Sequence, residues 1–156
     1  MPFLRISPLF TDLYQLTMGQ AYFEKGIHQS RAAFDYFYRK LPFSGGYVIS
    51  AGLGELLDQL VQLHFTDEEL EFLAREGFSD AYLDYLSGFS FQGDIYGVRE
   101  GEIVFPFAPV LRIEGGLLET QLIETLLLNV MNFQSLIATK ASRIRQSDRK
   151  STRLNS

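Results

Sequence analysis

One long apolar segment, LLETQLIETLLLNVMNFQSLIA at residues 117–138, decides the fold. Its length and hydrophobicity approach those of a membrane span, but polar side chains fall all round it: Glu119, Gln121, Glu124, Asn129, Asn132 and Gln134. Each of them would be costly in hydrocarbon. The segment therefore predicts a long buried helix of a soluble protein, and no membrane is expected as a partner.

Shorter elements precede this helix. We expect a first helix capped by Thr11 and closed by Gly26, with its core-facing stripe at Leu13, Leu16, Thr17 and Ala21. Residues 31–40 carry aromatic side chains on both faces, which predicts a strand covered on both sides. Thr66 and Glu69 have the spacing of a capping box. Three short strands between residues 95 and 113 are predicted to form a small β-unit, which makes the chain α+β.

Composition and charge exclude several classes of function. The 156 residues are 46% hydrophobic, which is typical of one globular domain. With 14 Lys and Arg against 19 Asp and Glu, the net charge of −5 repels phosphate backbones, so nucleic acid is not expected as a partner. The chain has no cysteine, which excludes disulfides and fits a reducing compartment. Pro2 and Pro8 interrupt an N-terminus without a long apolar core, so we expect a cytoplasmic protein.

The last nine residues, DRKSTRLNS at 148–156, are abruptly basic and polar although the apolar pattern of the preceding helix is still in progress. They resemble the in-frame translation of a sequencing adapter, and we expect them to be an artefactual tail on a truncated reading frame. The alternative is a genuine basic tail. These residues include three cations and one acid, so leaving them out changes the net charge from −5 to −7.

The spacing of residues along the chain matches few motifs of known catalytic or binding chemistry. Gly52-Leu53-Gly54 lacks the third glycine of a dinucleotide fingerprint, and the sequence has no phosphate loop of the GxxxxGK[ST] type. His28 and His64 each stand beside a helix end without a second ligand at metal-binding spacing, so both are interpreted as surface loop residues. No metal site is expected from this pattern.

Two features are open to a functional or a structural interpretation. Tyr14, close to Asp12, could stack on an aromatic ring, although amphipathic helices commonly bury such a tyrosine. A set of polar and cationic residues closes the long helix: Thr139, Lys140, Arg143 and Arg145. They could clamp a phosphate or carboxylate, or they could simply favour a helix C-terminus through its dipole.

Four sequence blocks follow one another along the chain: TDLYQLTM at 11–18, FYRKLPFSGG at 37–46 followed by AGL at 51–53, GEIVFP at 101–106, and ET at 124–125 continuing through LN at 128–129 to ATKASR at 138–143. In this order, the four blocks resemble the nicotinate phosphoribosyltransferase family. The resemblance covers residues 8–146. It implies the N-terminal α+β domain of a type II phosphoribosyltransferase, truncated where the chain would enter its α/β barrel. We assign residues 1–115 to this domain, 116–147 to the long apolar helix and 148–156 to the tail.

The resemblance also implies an activity. Enzymes of this family serve NAD salvage, joining nicotinate to 5-phosphoribosyl 1-diphosphate to give nicotinate mononucleotide and diphosphate, with ATP hydrolysis. They are glycosyltransferases, and they resemble ligases in coupling the transfer to ATP hydrolysis. Mg²⁺ takes up the charge of the departing diphosphate, and the enzymes form head-to-tail homodimers. Without the barrel and its phosphorylated histidine, the present chain is expected to contain no catalytic residue, to be inactive alone, and to bind neither ATP nor Mg²⁺.

Site residues follow from the matching blocks. Tyr14 corresponds to the tyrosine that stacks on nicotinate from the partner subunit. Arg143 is expected to contact a carboxylate or phosphate and Thr139 to give a hydrogen bond, with Lys140 as a further candidate. Arg39 belongs to the second block, but an ion pair with Asp35 would explain it equally well.

Two alternatives remain open at this stage. Nicotinamide or quinolinate could replace nicotinate, although the block around Tyr14 favours nicotinate. The chain could also be a non-catalytic binding module built on the same domain, which would use an exposed apolar face of the terminal helix.

Overall fold

The computed structural model describes the backbone of residues 5–154 and the side chains of residues 5–148. The proposed tail, residues 148–156, therefore lies almost wholly outside the described side chains. The helices are α1 (Leu13–Glu24), α2 (Leu53–Val61), α3 (Asp67–Arg75), α4 (Asp80–Ser87), α5 (Leu117–Leu122) and α6 (Glu124–Leu154). The strands are β1 (Arg31–Tyr36), β2 (Val48–Ile49), β3 (Asp94–Gly97), β4 (Ile103–Val104) and β5 (Leu111–Gly116). This mixture confirms the α+β class.

The strands form two antiparallel sheets. The larger has the order β1-β5-β3, and its central Ile113 lies opposite Phe34 on one side and Ile95 on the other. The smaller sheet pairs β2 with β4. The prediction of one small β-unit from the three later strands is therefore wrong. Strand β4 pairs with a strand more than 50 residues earlier, and β5 takes β1 as its second neighbour, because long-range pairing depends on tertiary packing that no local pattern encodes.

Helix α1 packs through a different face from the predicted one. Its buried residues are Gln15, Leu16 and Gly19, whereas Leu13 is 63% exposed. A Cβ added at Gly19 would lie 2.5 Å from the Tyr82 hydroxyl oxygen, so the glycine lets α1 approach α4 closely. A side chain at Gly19 would prevent this close approach on the buried face. The N-cap residue is Asp12 rather than the predicted Thr11.

Two other local predictions are confirmed. Gly26 follows α1 with a φ of 68°, the left-handed conformation expected of a glycine that closes a helix. Thr66 and Glu69 form both hydrogen bonds of the capping box at the start of α3. Each prediction depends only on residues within one helical turn.

Strand β1 is not covered on both sides by the described residues. Tyr36 is buried, but Phe34 and the following Phe37 are exposed. The predicted covered strand is therefore wrong for this chain. An aromatic surface is left open beside α1.

The predicted long helix consists of two helices that meet at Ile123. Helix α5 packs on the larger sheet, and α6 passes on to contact α2 and β2. One face of α6 is buried, with Met131 fully enclosed, while Phe133 is 67% exposed. Ile137 and Ile144 are also exposed and share the face of Phe133, four and eleven residues further along. We call these three residues the apolar stripe, and the prediction of a helix buried all round is wrong for this part of it.

The described residues include no helix that is both long enough and apolar enough to cross a membrane.

Candidate functional site

Helix α6 contacts the first sequence block at its start and the second block toward its far end. At its start, Glu124 and Thr125 contact the end of α1 that carries Thr11, Asp12 and Gln15. We call these five residues the amide cluster. Toward its far end, Arg143 contacts the loop that contains Phe43, Gly45 and Tyr47, and we call these four residues the arginine cluster.

The amide cluster is held by side-chain hydrogen bonds between the two helices. The Gln15 Nε2 group donates to Glu124 Oε2 at 2.9 Å. The Thr125 hydroxyl lies 3.0 Å from Asp12 Oδ2 and 3.2 Å from Gln15 Oε1, and the Thr11 hydroxyl also contacts Gln15 Oε1. The first block of the sequence is thereby fixed to the start of α6.

A cavity of about 400 Å³ lies beside the amide cluster. Its walls are mainly apolar and aromatic, and they also include two carboxylates. The lining residues are Tyr14, Met18, Tyr22, Phe34, Asp35, Tyr36, Ile113, Leu117, Thr120, Gln121, Glu124, Leu127 and Leu128. Its volume is within the range of small-molecule sites, and an aromatic ring of modest size fits such walls. Tyr14 is 50% exposed at this cavity, so its ring remains available for stacking.

Tyr36, which also lines the cavity, has a structural role. Its hydroxyl donates to Asn132 Oδ1 at 2.9 Å. Burial, and then the neighbouring Tyr38 hydroxyl, raise the pKa of Tyr36 well above its ordinary value. The phenol therefore stays protonated and connects β1 to α6.

The arginine cluster encloses a guanidinium group. Arg143 Nη1 donates to the Phe43 carbonyl at 3.1 Å, and its guanidinium carbon lies 5.4 Å and 5.5 Å from the ring centroids of Phe43 and Tyr47. Nη2 is buried and has no hydrogen-bond partner among the described residues. Phe43 and Ser44 have φ angles of 58° and 49°, so the loop that holds this cation is strained.

Thr139 and Lys140 lie in different surroundings. Thr139 is 0% exposed, donates to the Ser135 carbonyl at 2.6 Å and accepts from the Ile49 N–H at 2.9 Å. The contact with Ile49 ties β2 to α6 and the contact with Ser135 lies within α6, so both favour a structural role over the expected hydrogen bond to a ligand. Lys140 is exposed and lies seven residues after Phe133, on the side of the apolar stripe.

The structure does not bring the four candidate residues into one site. Glu124, beside Tyr14, and Arg143 are separated by 19 residues of a continuous helix. At a rise of 1.5 Å per residue, the two positions are about 28 Å apart along α6. Tyr14 and Arg143 of one chain therefore cannot contact the same small ligand.

Three further sequence expectations can be compared with the structure. Asp35 Oδ1 lies 3.5 Å from Arg112 Nη1, so the ion pair that Asp35 forms is with Arg112 and not with Arg39, the alternative considered for that residue. His64 is exposed, as predicted. His28 also lies in the loop between α1 and β1, but it is half-buried there, and its ring centroid lies 5.0 Å from that of Tyr85.

Sequence reasoning missed Gln15, which is buried on α1, and Ser135, which accepts the Ala51 N–H at 3.0 Å. A polar residue three or four positions from apolar ones is the signal that could have identified them. Among residues 5–148, no group of three His, Asp or Glu side chains is arranged to hold a metal ion.

Comparisons with known proteins give the family. A family model described as the nicotinate phosphoribosyltransferase N-terminal domain matches residues 9–132. Nicotinate phosphoribosyltransferase of Bacillus subtilis is 48% identical over 138 residues, which are 88% of this chain and 28% of that protein. Nicotinate phosphoribosyltransferase 2 of Arabidopsis thaliana is 43% identical over 143 residues, 90% of this chain and 26% of that protein.

A solved structure agrees with these relatives. The crystal structure of human nicotinic acid phosphoribosyltransferase has a TM-score of 0.82 at 34% identity, covering 87% of this chain and 28% of that one. The chain thus spans little more than a quarter of the length of these proteins. It belongs to the nicotinate phosphoribosyltransferase family and corresponds to the N-terminal domain of that family.

Proposed function

We propose that the whole protein of which this chain is the N-terminal domain is a nicotinate phosphoribosyltransferase of NAD salvage. It would join nicotinate to 5-phosphoribosyl 1-diphosphate, form nicotinate mononucleotide and diphosphate, and couple the reaction to ATP hydrolysis. The observation that carries the proposal is the half-exposed Tyr14 ring beside an aromatic cavity, held in the first sequence block of the family.

In this proposal, Tyr14 stacks on the pyridine ring. A tyrosine ring can stack in an offset arrangement on another aromatic ring, and such pairs contribute about 0.5–1.5 kcal/mol beyond area burial. Tyr14 acts across a homodimer interface, on nicotinate held mainly by the partner subunit. The separation of about 28 Å along α6 between the amide and arginine clusters supports a site that is shared between two subunits.

Arg143 is proposed as a contact for a carboxylate or phosphate. Within residues 5–148 its Nη2 group meets no hydrogen-bond partner, and a charged donor gains most when it meets an anionic oxygen. Since Nη2 is buried under the loop around Gly45, an anion can reach it only if that loop moves. Lys140 is exposed nearby on the same helix and could add a second cation. The Thr139 hydroxyl already forms hydrogen bonds with the Ser135 carbonyl and the Ile49 N–H.

The departing diphosphate carries negative charge that must be neutralised. Mg²⁺ would neutralise that charge in the reaction, but residues 5–148 hold no cluster of carboxylates or imidazoles that fits the ion. We propose that the contacts of Mg²⁺ and ATP lie in the part of the family's length that this chain does not span. We also propose a cytoplasmic homodimer.

A substrate panel on the full-length protein tests the function. We expect turnover of nicotinate with 5-phosphoribosyl 1-diphosphate, and much slower turnover of nicotinamide and quinolinate. Tyr14→Ala should raise KM for nicotinate about 3- to 10-fold, the factor given by the loss of one aromatic stacking contact. Val61→Ala on α2 is an exposed control that should change nothing. A preference for quinolinate or nicotinamide would refute the proposal, and unchanged kinetics of Tyr14→Ala would refute the role of Tyr14.

A non-catalytic binding module is the second candidate, and one observation favours it. The apolar stripe of Phe133, Ile137 and Ile144 is exposed on α6, and contiguous exposed apolar surface commonly marks an interaction site. A full-length protein without any phosphoribosyltransferase activity, but with a partner that is lost on Phe133→Ser, would support the module over the enzyme.

A further inference from the structure

A buried glutamine in α1 has no explanation in packing alone. Gln15 is only 2% exposed, although Tyr14 beside it is half exposed. Burying an amide costs free energy unless all its polar atoms are bonded, and a leucine would fill the same space without that cost. The amide must therefore do something that an apolar side chain cannot.

The contacts of Gln15 fix which way its amide points. Its oxygen faces the hydroxyl groups of Thr11 and Thr125, and its nitrogen faces the Glu124 carboxylate at 2.9 Å. The reverse orientation would place the amide oxygen against that carboxylate, where two acceptors would repel each other. Helix α6 thus determines the direction of the Nε2 group.

The same Nε2 group also reaches the phenol of Tyr14. It lies 3.4 Å from the Tyr14 oxygen, a long and weak hydrogen bond. A half-exposed tyrosine otherwise samples several rotamers, and a directed donor at the end of its ring favours one of them. The contact therefore contributes orientation rather than much binding energy.

We infer that Gln15 is a positioning residue: it uses the Glu124 carboxylate as an anchor to hold the Tyr14 ring in the orientation that stacks on the pyridine substrate. The inference rests on the proposed function. Its consequence is that the affinity for nicotinate depends on a residue that does not touch nicotinate, because the ring is ordered before the substrate arrives.

The kinetic experiment uses the full-length protein and a double-mutant cycle. Gln15→Leu is expected to raise KM for nicotinate about threefold to tenfold, which is less than the roughly hundredfold loss that a misplacement of about 1 Å can cause. KM for 5-phosphoribosyl 1-diphosphate should stay unchanged. Tyr14→Phe, which keeps the ring but removes the hydroxyl, should have a similar effect. The double variant should be no worse than either single one, because both break the same contact.

Two further variants separate positioning from general stability. Gln59→Leu removes another buried glutamine, on α2, which accepts the Ile6 N–H at 2.9 Å. It should lower the free energy of unfolding without changing KM for nicotinate. Gln15→Glu should impair nicotinate binding at neutral pH, where two carboxylates repel, and recover relative to the wild type as the pH falls and the new carboxyl group becomes protonated.

A fluorine NMR measurement tests the orientation of Tyr14 independently of nicotinate turnover. With 3-fluorotyrosine in the 156-residue chain, the Tyr14 fluorine signal, assigned through Tyr14→Phe, should change its shift and linewidth in Gln15→Leu but not in Gln59→Leu. An unchanged signal overturns the inference even in an active enzyme. Additive effects of Tyr14→Phe and Gln15→Leu on KM also overturn it. An altered signal, together with a full-length protein that does not turn over nicotinate, would instead refute the proposed function and leave only the ordering of Tyr14.

Discussion

At the scale of single residues, Gly45 shows how one side chain excludes another. A Cβ at Gly45 would lie 1.4 Å from Arg143 Nη2, whereas a Cβ at Gly46 would meet nothing within 4 Å. The φ of Gly45 is −102°, which alanine adopts freely, so any cost of Gly45→Ala must come from the guanidinium. The arginine must then leave its place between Phe43 and Tyr47.

We therefore expect Gly45→Ala to lower the free energy of unfolding by about 1–2 kcal/mol, the worth of one hydrogen bond and two partly exposed cation–π contacts. Gly46→Ala is the matched control and should change it by less than about 0.5 kcal/mol. Urea denaturation measures both. Equal effects of the two substitutions would contradict the assigned packing of Arg143.

At the scale of elements, the start of α3 depends on the ionisation of Glu69. Burial alone would raise the pKa of this carboxyl, but hydrogen bonds from Ser7, the Thr66 N–H and Arg5 outweigh burial and hold the pKa below its ordinary value of 4.5. Because the pKa is lowered in the folded state, the stabilisation is complete above pH 4.5 and is lost as the pH falls through the lowered pKa.

Glu69→Gln should therefore destabilise the domain by about 1 kcal/mol at pH 7 and by progressively less as the solution is acidified. Glu71→Gln, at an exposed position of the same helix, serves as the control and should change the free energy of unfolding at pH 7 by less than about 0.5 kcal/mol. Thermal unfolding between pH 3 and pH 7 gives the comparison. A difference between wild type and Glu69→Gln that persists at pH 3 would argue against the ionised capping box.

At the scale of the whole molecule, the chain exposes apolar side chains of the kind that a domain usually buries against another domain or subunit. The apolar stripe on α6 is open to water, and so are Phe34 and Phe37 beside the larger sheet. We expect the 156-residue chain to turn over no nicotinate by itself and to self-associate as its concentration rises.

Replacing both Phe133 and Ile137 by serine should weaken that association at least about tenfold, because each buried apolar side chain of this size contributes about 1.5–3 kcal/mol. Val61→Ser removes a side chain that is 88% exposed on α2 and should leave association unchanged. Analytical ultracentrifugation reports both, and a coupled assay for diphosphate release checks for turnover. Measurable turnover by the chain alone would contradict the proposed dependence on the remainder of the protein.

The sequence by itself determined those features that depend on neighbouring residues. The capping box at Thr66 and Glu69 and the left-handed Gly26 are set within one or two turns of chain, and a local pattern is sufficient to identify them. The family was also readable from the sequence, because its blocks are contiguous and keep their order.

Only the tertiary structure decided which faces are buried and which residues meet. Helix α1 buries Gly19 against Tyr82, whereas Leu13 on the face that its apolar residues suggested is exposed. Helix α6 separates Tyr14 from Arg143 by about 28 Å, although the resemblance had placed both in substrate binding. Gln15 acquired its role from Glu124, 109 residues later. Such contacts arise from the packing of distant elements, and no local periodicity records them.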